Sequence, residues 1–270
     1  MDVVAALVSG EYDGEELATA VEAAGPEVVV GMLALASHED PDVRVRAVAT
    51  LPILCHGDPP TPEMVAVAVR LTTDPATTVR DWATFVLAQQ FREVGTPELR
   101  DALAARFDDV DRETRQEALV GLAYRRDPRA LPRVRAALTR RSGDVWQLEI
   151  VAAGAIGDPE LHPLVMTHRS GWDDPAAALQ ADAACRLTDS RGPGDDLLDG
   201  VADLYRRRAS GMRDGDGIRA WSLMDVLLDV APHRAPELYD AVAARLAGDE
   251  PALAELRQAS ALAQLADEAR

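Results

Sequence analysis

The sequence predicts an all-α chain built as an array of stacked helical repeats, and two observations carry that prediction. The first is self-similarity. Asp40 to Leu51 reads DPDVRVRAVATL, Asp74 to Leu87 reads DPATTVRDWATFVL, and Asp109 to Leu122 reads DVDRETRQEALVGL. Aligned on Arg44, Arg80 and Arg115, which stand 36 and 35 residues apart, each segment has an apolar or Thr residue before the Arg. An Ala follows three later (Ala47, Ala83, Ala118) and a Leu seven later (Leu51, Leu87, Leu122). A fixed period of this size is that of helix pairs stacked one on the next. The second observation is composition. Aromatics make up only 4% of the chain, so a core must come from many small contacts between closely approaching helices.

Each element follows from its own signals. Asp-Pro and Thr-Pro pairs recur at Asp40-Pro41, Thr61-Pro62, Asp74-Pro75, Thr96-Pro97, Asp127-Pro128, Asp158-Pro159 and Asp174-Pro175. The first residue can cap the free amides of a helix start, and Pro suits the first helical position, where its missing N–H is no loss. Ahead of these pairs, residues 1–25 read as an N-terminal helix pair, Val3 to Val8 and Glu15 to Ala24, with Gly10 and Gly25 at the ends. Regular repeats over 26–188 pair outer with inner helices. They are Glu27 to Ser37 with Val43 to Cys55, Pro62 to Leu71 with Ala76 to Phe91, and Pro97 to Phe107 with Arg112 to Tyr124. Next come Ala130 to Arg140 with Val145 to Ile156, and Pro159 to Thr167 with Pro175 to Leu187. Residues 189–270 read as irregular and capping repeats, with turn-rich loops at Ser190 to Asp195 and Ser210 to Gly217. Their helices are Leu197 to Arg208, Ile218 to Val230, Pro236 to Leu246 and Pro251 to Glu268.

The repeat segments resemble the HEAT-repeat family, whose second helix in each repeat opens with an Asp, then Val-Arg, then the Ala and Leu. The resemblance implies a right-handed α-α superhelix, a HEAT-like solenoid of about seven helix pairs read as one continuous array over 1–270. It also implies a structural ladder in which turn Asp and helix-start Arg of neighbouring repeats exchange charge-assisted hydrogen bonds. Carried onto this sequence, the ladder residues are Asp40 with Arg44, Asp74 with Arg80, Asp111 with Arg115, and Asp216 with Arg219. At Val145-Trp146 and Leu179-Gln180 no Arg follows the apolar residue, so the ladder is predicted to break there.

Composition bounds the function. With 28 basic and 46 acidic residues the net charge is −18, which opposes attraction to nucleic acid or to an anionic membrane. Every basic residue is Arg, so Schiff-base chemistry on Lys is excluded. Cys55 and Cys185 stand alone, without the spacing of a zinc or redox site. Asp2 sits where a signal peptide needs positive charge, and a cytoplasmic location is expected. One basic concentration, from Arg125 and Arg126 to Arg140 and Arg141, interrupts the acidity. Residues 76–145 carry a net charge of +2, while the stretches on either side carry −10 each. Within it, Arg133 and Arg140 are predicted to project outward.

Partner binding is predicted on an apolar strip of the inner helices. Five and six residues after the one preceding each repeat Arg lie Thr84 and Phe85, Leu119 and Val120, Ile150 and Val151, and Leu223 and Met224. These positions are well removed around the helix from its buried stripe. Phe85, Val120, Val151 and Met224 are therefore candidate contact residues, with Trp146, which occupies an Arg slot; Trp82 and Trp221 share another slot and suit either packing or recognition. HEAT-like enzymes offer a contrasting reading. The di-iron deoxyhypusine hydroxylases use several His-Glu pairs, whereas only His38-Glu39 occurs here; HEAT-like DNA glycosylases use Trp and Asp, which Asp81-Trp82 would supply. The reading favoured is a non-enzymatic, monomeric scaffold for a protein or peptide, using its concave inner helices. It has no catalytic residues, cofactor or metal, and neither nucleic acid nor membrane is an expected partner.

Overall fold

The all-α prediction holds throughout the described residues, where helices alternate with short turns. The computed structural model describes residues 2–12, 14–23, 26–55, 57–140, 145–211 and 218–268, and leaves out side chains at 22, 26, 27, 218–220 and 261–268. The residues group into two compact units, Met1–Asp127 and Pro128–Ala269. The predicted Gly25, Arg141 and Asp216, and the side chain of Arg219, lie outside the described residues.

The N-terminal unit comprises α1 (Val3–Ser9), α2 (Gly14–Glu22), α3 (Pro26–Leu35), α4 (Pro41–Leu54), α5 (Pro62–Leu71), α6 (Thr77–Phe85), α7 (Pro97–Ala104) and α8 (Arg112–Tyr124). Helices α4, α6 and α8 form its inner row, each touching the next, while α3, α5 and α7 back them. Helix starts follow the predicted capping chemistry. The side chains of Asp40, Thr61 and Thr96 accept from backbone amides at the heads of α4, α5 and α7. Gly10 ends α1 in the left-handed conformation at φ 74°, which favours glycine.

One inner helix departs from the prediction. The sequence reads as continuous helix from Ala76 to Phe91, but α6 passes into a π-helical turn, Val86–Gln90, in which the Phe91 amide donates to the Val86 carbonyl at 2.8 Å. Carbonyls in and around this turn are gathered by Arg125. Its guanidinium donates to Leu87, Phe91, Val94 and Gly121 at 2.6–2.7 Å, and to Ala88 at 3.5 Å. Read in the sequence as part of a basic surface concentration, Arg125 is in fact buried. Burial depresses its pKa to about 10, still far above neutrality, so it stays charged. Beside it Gly121 is obligatory, because a Cβ there would lie 2.7 Å from Ala88 Cβ and 2.9 Å from Ala88 Cα.

The ladder exists with different partners. Arg44 grips Asp74 of the next repeat through Nε at 2.8 Å and Nη2 at 2.7 Å, and Arg80 grips Asp109 through Nε and Nη2 at 3.0 Å. Meanwhile Nη1 of each turns back to its own turn. Arg44 donates to the carbonyls of His38 and Glu39, Arg80 to those of Asp74 and Pro75, and Arg115 to those of Asp109 and Val110. The carried-over pairings are thus corrected. Asp40 caps α4 and Asp111 caps α8 through Thr114, while Asp109, two residues earlier, takes the rung. Asp109 takes the rung while also accepting from the Asp111 amide, as Asp74 does from the Ala76 amide, whereas Asp111 Oδ2 is turned to the amide and hydroxyl of Thr114.

The second unit comprises α9 (Ala130–Leu138), α10 (Gln147–Ile156), α11 (His162–Met166), α12 (Pro175–Thr188), α13 (Asp195–Ala209), α14 (Ile218–Val230), α15 (Ala235–Arg245) and α16 (Glu250–Glu268). Here α10, α12 and α14 form the inner row. Where Arg is missing from the pattern, α10 and α12 are joined by a neutral bond from Gln147 Nε2 to Gln180 Oε1 at 2.6 Å. Close packing of small residues replaces the rung, and a Cβ on Gly154 would meet Ala184 Cα at 3.1 Å.

Four substitutions test this account by thermal unfolding. Arg80→Ala should cost about 1.5–3 kcal/mol, as loss of a charge-assisted pair in a packed setting does. Asp109→Ala should cost a similar amount, while Asp111→Ala should cost only about 1 kcal/mol, the loss of a helix cap; equal losses at the two aspartates would refute the rung assignment. Arg125→Ala should be the most damaging, on the order of 3 kcal/mol or more, because it strips several buried carbonyls of their donor at once.

Candidate functional site

Accessible side chains on the inner row of the N-terminal unit lie near the helix starts. On α6 the exposed large side chain is Trp82, 41% accessible. Its ring meets Phe85, one turn on, in an edge-to-face arrangement with centroids 5.6 Å apart and planes at 85°. On one side of Trp82 in sequence is Asp81; across the groove to α8 is Glu117, which accepts a 2.7 Å hydrogen bond from Gln89 Nε2. Gln89 belongs to the π-helical turn, so the irregularity in α6 helps place the amide over Glu117.

The two carboxyls are electrostatically unusual. Burial, followed by repulsion from Asp111 and Glu113, raises Asp81 to about 6. Burial also raises Glu117 to about 7, with Asp81 adding to the rise and the Gln89 hydrogen bond opposing it. Ladder carboxylates behave in the opposite way. Burial opposes the ionisation of Asp74 and Asp109, but the hydrogen bonds of Arg44 and Arg80 outweigh it and hold both below the ordinary range.

The predicted apolar strip does not form an accessible groove. Val120 and Met224 are fully buried and Val151 is 2% exposed. Thr84, Leu119, Ile150 and Leu223 are buried as well, and of the strip only Phe85 retains partial access, beneath Trp82. The reason is spacing. Gly121 and Gly154 let neighbouring inner helices come close enough to cover those turns from the side. Trp146, 36% exposed, stands at the head of α10, where Glu149 accepts from its backbone amide at 2.9 Å. Trp221 is a packing residue, edge-on to Tyr205 at 6.0 Å with Arg208 over its face at 5.3 Å.

The basic concentration is dispersed by the fold. Arg133 and Arg140 do project outward, but Arg140 pairs with Glu149 and Arg135 with Glu160 at 2.6 Å. Both cysteines are free, Cys185 buried with its thiol pushed up to about 11 by burial. Among the described residues no group of three or more His, Cys, Asp and Glu could hold a metal ion, and no described helix is long and apolar enough to cross a membrane.

Residues 29–120, which contain the Arg44 and Arg80 rungs and the Trp82 face, match the family model for HEAT repeats. This stretch of the chain is built of HEAT repeats. Protein YibA of Escherichia coli, in strains K12 and O157:H7, is 32% identical to the chain over 110 residues, 41% of this chain and 38% of the relative. The chain thus matches well under half the length of those curated relatives. The X-ray structure of E. coli YibA superposes with a TM-score of 0.50 at 24% identity, covering 68% of this chain and 66% of that one, and supports the HEAT-like helical fold.

The opposed pKa shifts give the HEAT rungs and the inner-face carboxyls opposite signatures in stability. Asp81 and Glu117 have folded pKa values above their unfolded ones of about 3.9 and 4.3, so they favour the folded state at low pH and this favour is lost as pH rises from about 4 to about 7. Asp74 and Asp109, held low, stabilise above about pH 4 and lose that contribution on further acidification. The melting temperature should therefore rise as pH falls from 8 to about 5 and drop again below about 4. Glu117→Gln should flatten the upper limb, with a gain at pH 8 on the order of 2 kcal/mol after allowance for partial solvent contact. A melting temperature that is flat from pH 5 to 8 in the wild type would refute the assignment.

Proposed function

We propose that the chain is a non-enzymatic binding scaffold that presents the inner-helix starts of its N-terminal unit to a protein or peptide. The observation that carries this reading is the exposure of Trp82, braced by Phe85, on a helix row that otherwise buries its large apolar groups. An aromatic held in one orientation offers large contact area with little rotamer freedom left to lose, which is the character of an interface anchor. The ladder and Arg125 tie α4, α6 and α8 together behind that anchor in the sequence of repeats. The reading replaces the buried strip of Val120, Val151 and Met224 with Trp82 and Phe85, and leaves Trp146 as a separate accessible aromatic in the second unit.

One observation favours a second reading. Asp81, raised to about 6 beside an exposed Trp82, has the character of a general acid–base group, and these are the residue types a HEAT-like DNA glycosylase would use. The surroundings oppose a nucleic-acid substrate, because Asp111, Glu113 and Glu117 add negative charge around it.

Two measurements separate the readings. Affinity capture from the native cell extract should recover partners with the wild type that Trp82→Ala and Phe85→Asp lose, while Trp221→Phe, in the second unit, retains them. Retention by Trp82→Ala would place the interface elsewhere. Electrophoretic mobility of duplex and single-stranded DNA should be unchanged by the protein at low salt, where electrostatic binding is strongest. Micromolar, salt-sensitive DNA binding would instead promote Asp81 and Trp82 to catalytic candidates.

A further inference from the structure

The geometry points to a basic, arginine-bearing peptide segment as the occupant of the Trp82 face, its guanidinium lying on the indole and meeting the carboxyls of Asp81 and Glu117. This rests on the scaffold reading above and assigns the partner its charge.

Unmet electrostatics around Trp82 supply the argument. Elsewhere in the unit, carboxylates enclosed by the repeats are answered by arginine. Asp74 has Arg44, Asp109 has Arg80 and Arg106, and Asp127 has Arg100 at 3.8 Å. Asp81 and Glu117 break this rule. Among the described residues Asp81 makes neither a hydrogen bond nor an ion pair, and Glu117 is met by the neutral amide of Gln89 alone. Their charged neighbours share their sign: Asp111 and Glu113 act on Asp81, and Asp81 acts on Glu117. Desolvated like charges are costly to a folded protein, and a cation brought from outside relieves both the repulsion and the unmet hydrogen bonding.

Aromatic geometry points the same way. This chain repeatedly lays arginine on aromatic faces, Arg92 over Tyr124 at 5.7 Å and Arg208 over Trp221 at 5.3 Å. Among the described residues no guanidinium takes the face of Trp82, although its ring is fixed edge-on by Phe85 and stands open to solvent. A planar guanidinium stacks on an indole and donates sideways to carboxylates at once, which a lysine ammonium cannot do. Apolar contact from Trp82 and Phe85 together with anionic contact from Asp81 and Glu117 is therefore complementary to an arginine flanked by apolar residues.

The test uses the full chain and two fluorescent peptides of one sequence, an arginine-rich form and a form with every arginine replaced by citrulline, which keeps the shape and removes the charge. By fluorescence anisotropy at pH 8 and physiological salt, the arginine peptide should bind and the citrulline peptide should bind about tenfold or more weakly. The double variant Asp81→Asn/Glu117→Gln and the variant Trp82→Ala should each lose about tenfold in affinity for the arginine peptide. The double variant should melt no lower than wild type, showing that the loss is not unfolding. Glu63→Gln/Glu98→Gln removes the same charge from exposed positions on α5 and α7 and should bind as wild type does. An equal loss in that control would mean that the acidic field of the whole chain attracts the peptide, and the inference would fall. Equal, Trp82-dependent binding of both peptides would also overturn it while leaving the scaffold reading intact. Binding of neither peptide would refute the arginine assignment, and the capture experiment with Trp82→Ala would then judge the scaffold reading by itself.

Discussion

Everything in the N-terminal unit depends on the double use of a guanidinium. Arg44 and Arg80 each point one nitrogen back at two carbonyls of their own turn and the opposite edge at the aspartate of the next repeat. A planar group with five donors in fixed directions can do this; an ammonium cannot. The rung fixes the helix start and the distance to the neighbouring helix in a single interaction. Its carboxylates are only slightly exposed, so the Coulomb term is little screened, and both hold their protons less readily than an isolated carboxyl. Weak individual repeats thereby become a stack in which each turn is tied to the next.

Arg125 applies the same chemistry to a different problem. A π-helical turn opens the carbonyls at the end of α6, and buried carbonyls without donors are costly. One side chain from the following inner helix answers several of them at once, while Gly121 lets the two backbones approach within contact distance. The irregular turn, the glycine and the arginine form one device. Its product at the surface is Gln89 placed on Glu117, which couples the interior of the stack to the inner face.

The two sides of the inner row have opposite electrostatic character. At the turns Asp74, Asp109 and Asp127 are matched by arginine, and the structure gains from it. Between α6 and α8 the carboxyls of Asp81 and Glu117 meet neutral or like-charged neighbours, at a cost that burial alone would not require. Local conflict of this kind inside an otherwise consistent array marks where stability has yielded to another demand. Trp82, exposed next to Asp81 in α6, joins apolar area to that negative charge, and the proposed scaffold reading rests on this combination.

Much of the fold was legible in residue order because the signals are local. The period between Arg44, Arg80 and Arg115, the caps at Asp40, Thr61, Thr96 and Asp174, and the bounds of α8 follow from contacts within a few residues of one helix. The site was legible only in its residue types, Asp81 next to Trp82 in an inner helix. What tertiary structure alone decided involves residues some thirty positions apart. It decided that Arg80 is answered by Asp109 of the next repeat rather than by Asp74 of its own turn, whose carboxylate is taken by Arg44. It placed Arg125 in the core rather than on a basic surface, because the open carbonyls of another helix lie there. It buried Val120, Val151 and Met224 and left Trp82 open, because the closeness of neighbouring inner helices, set by Gly121 and Gly154, determines which side chains water can reach. A helical period states which side of a helix a residue occupies; how near the next helix comes is a property of the packed pair.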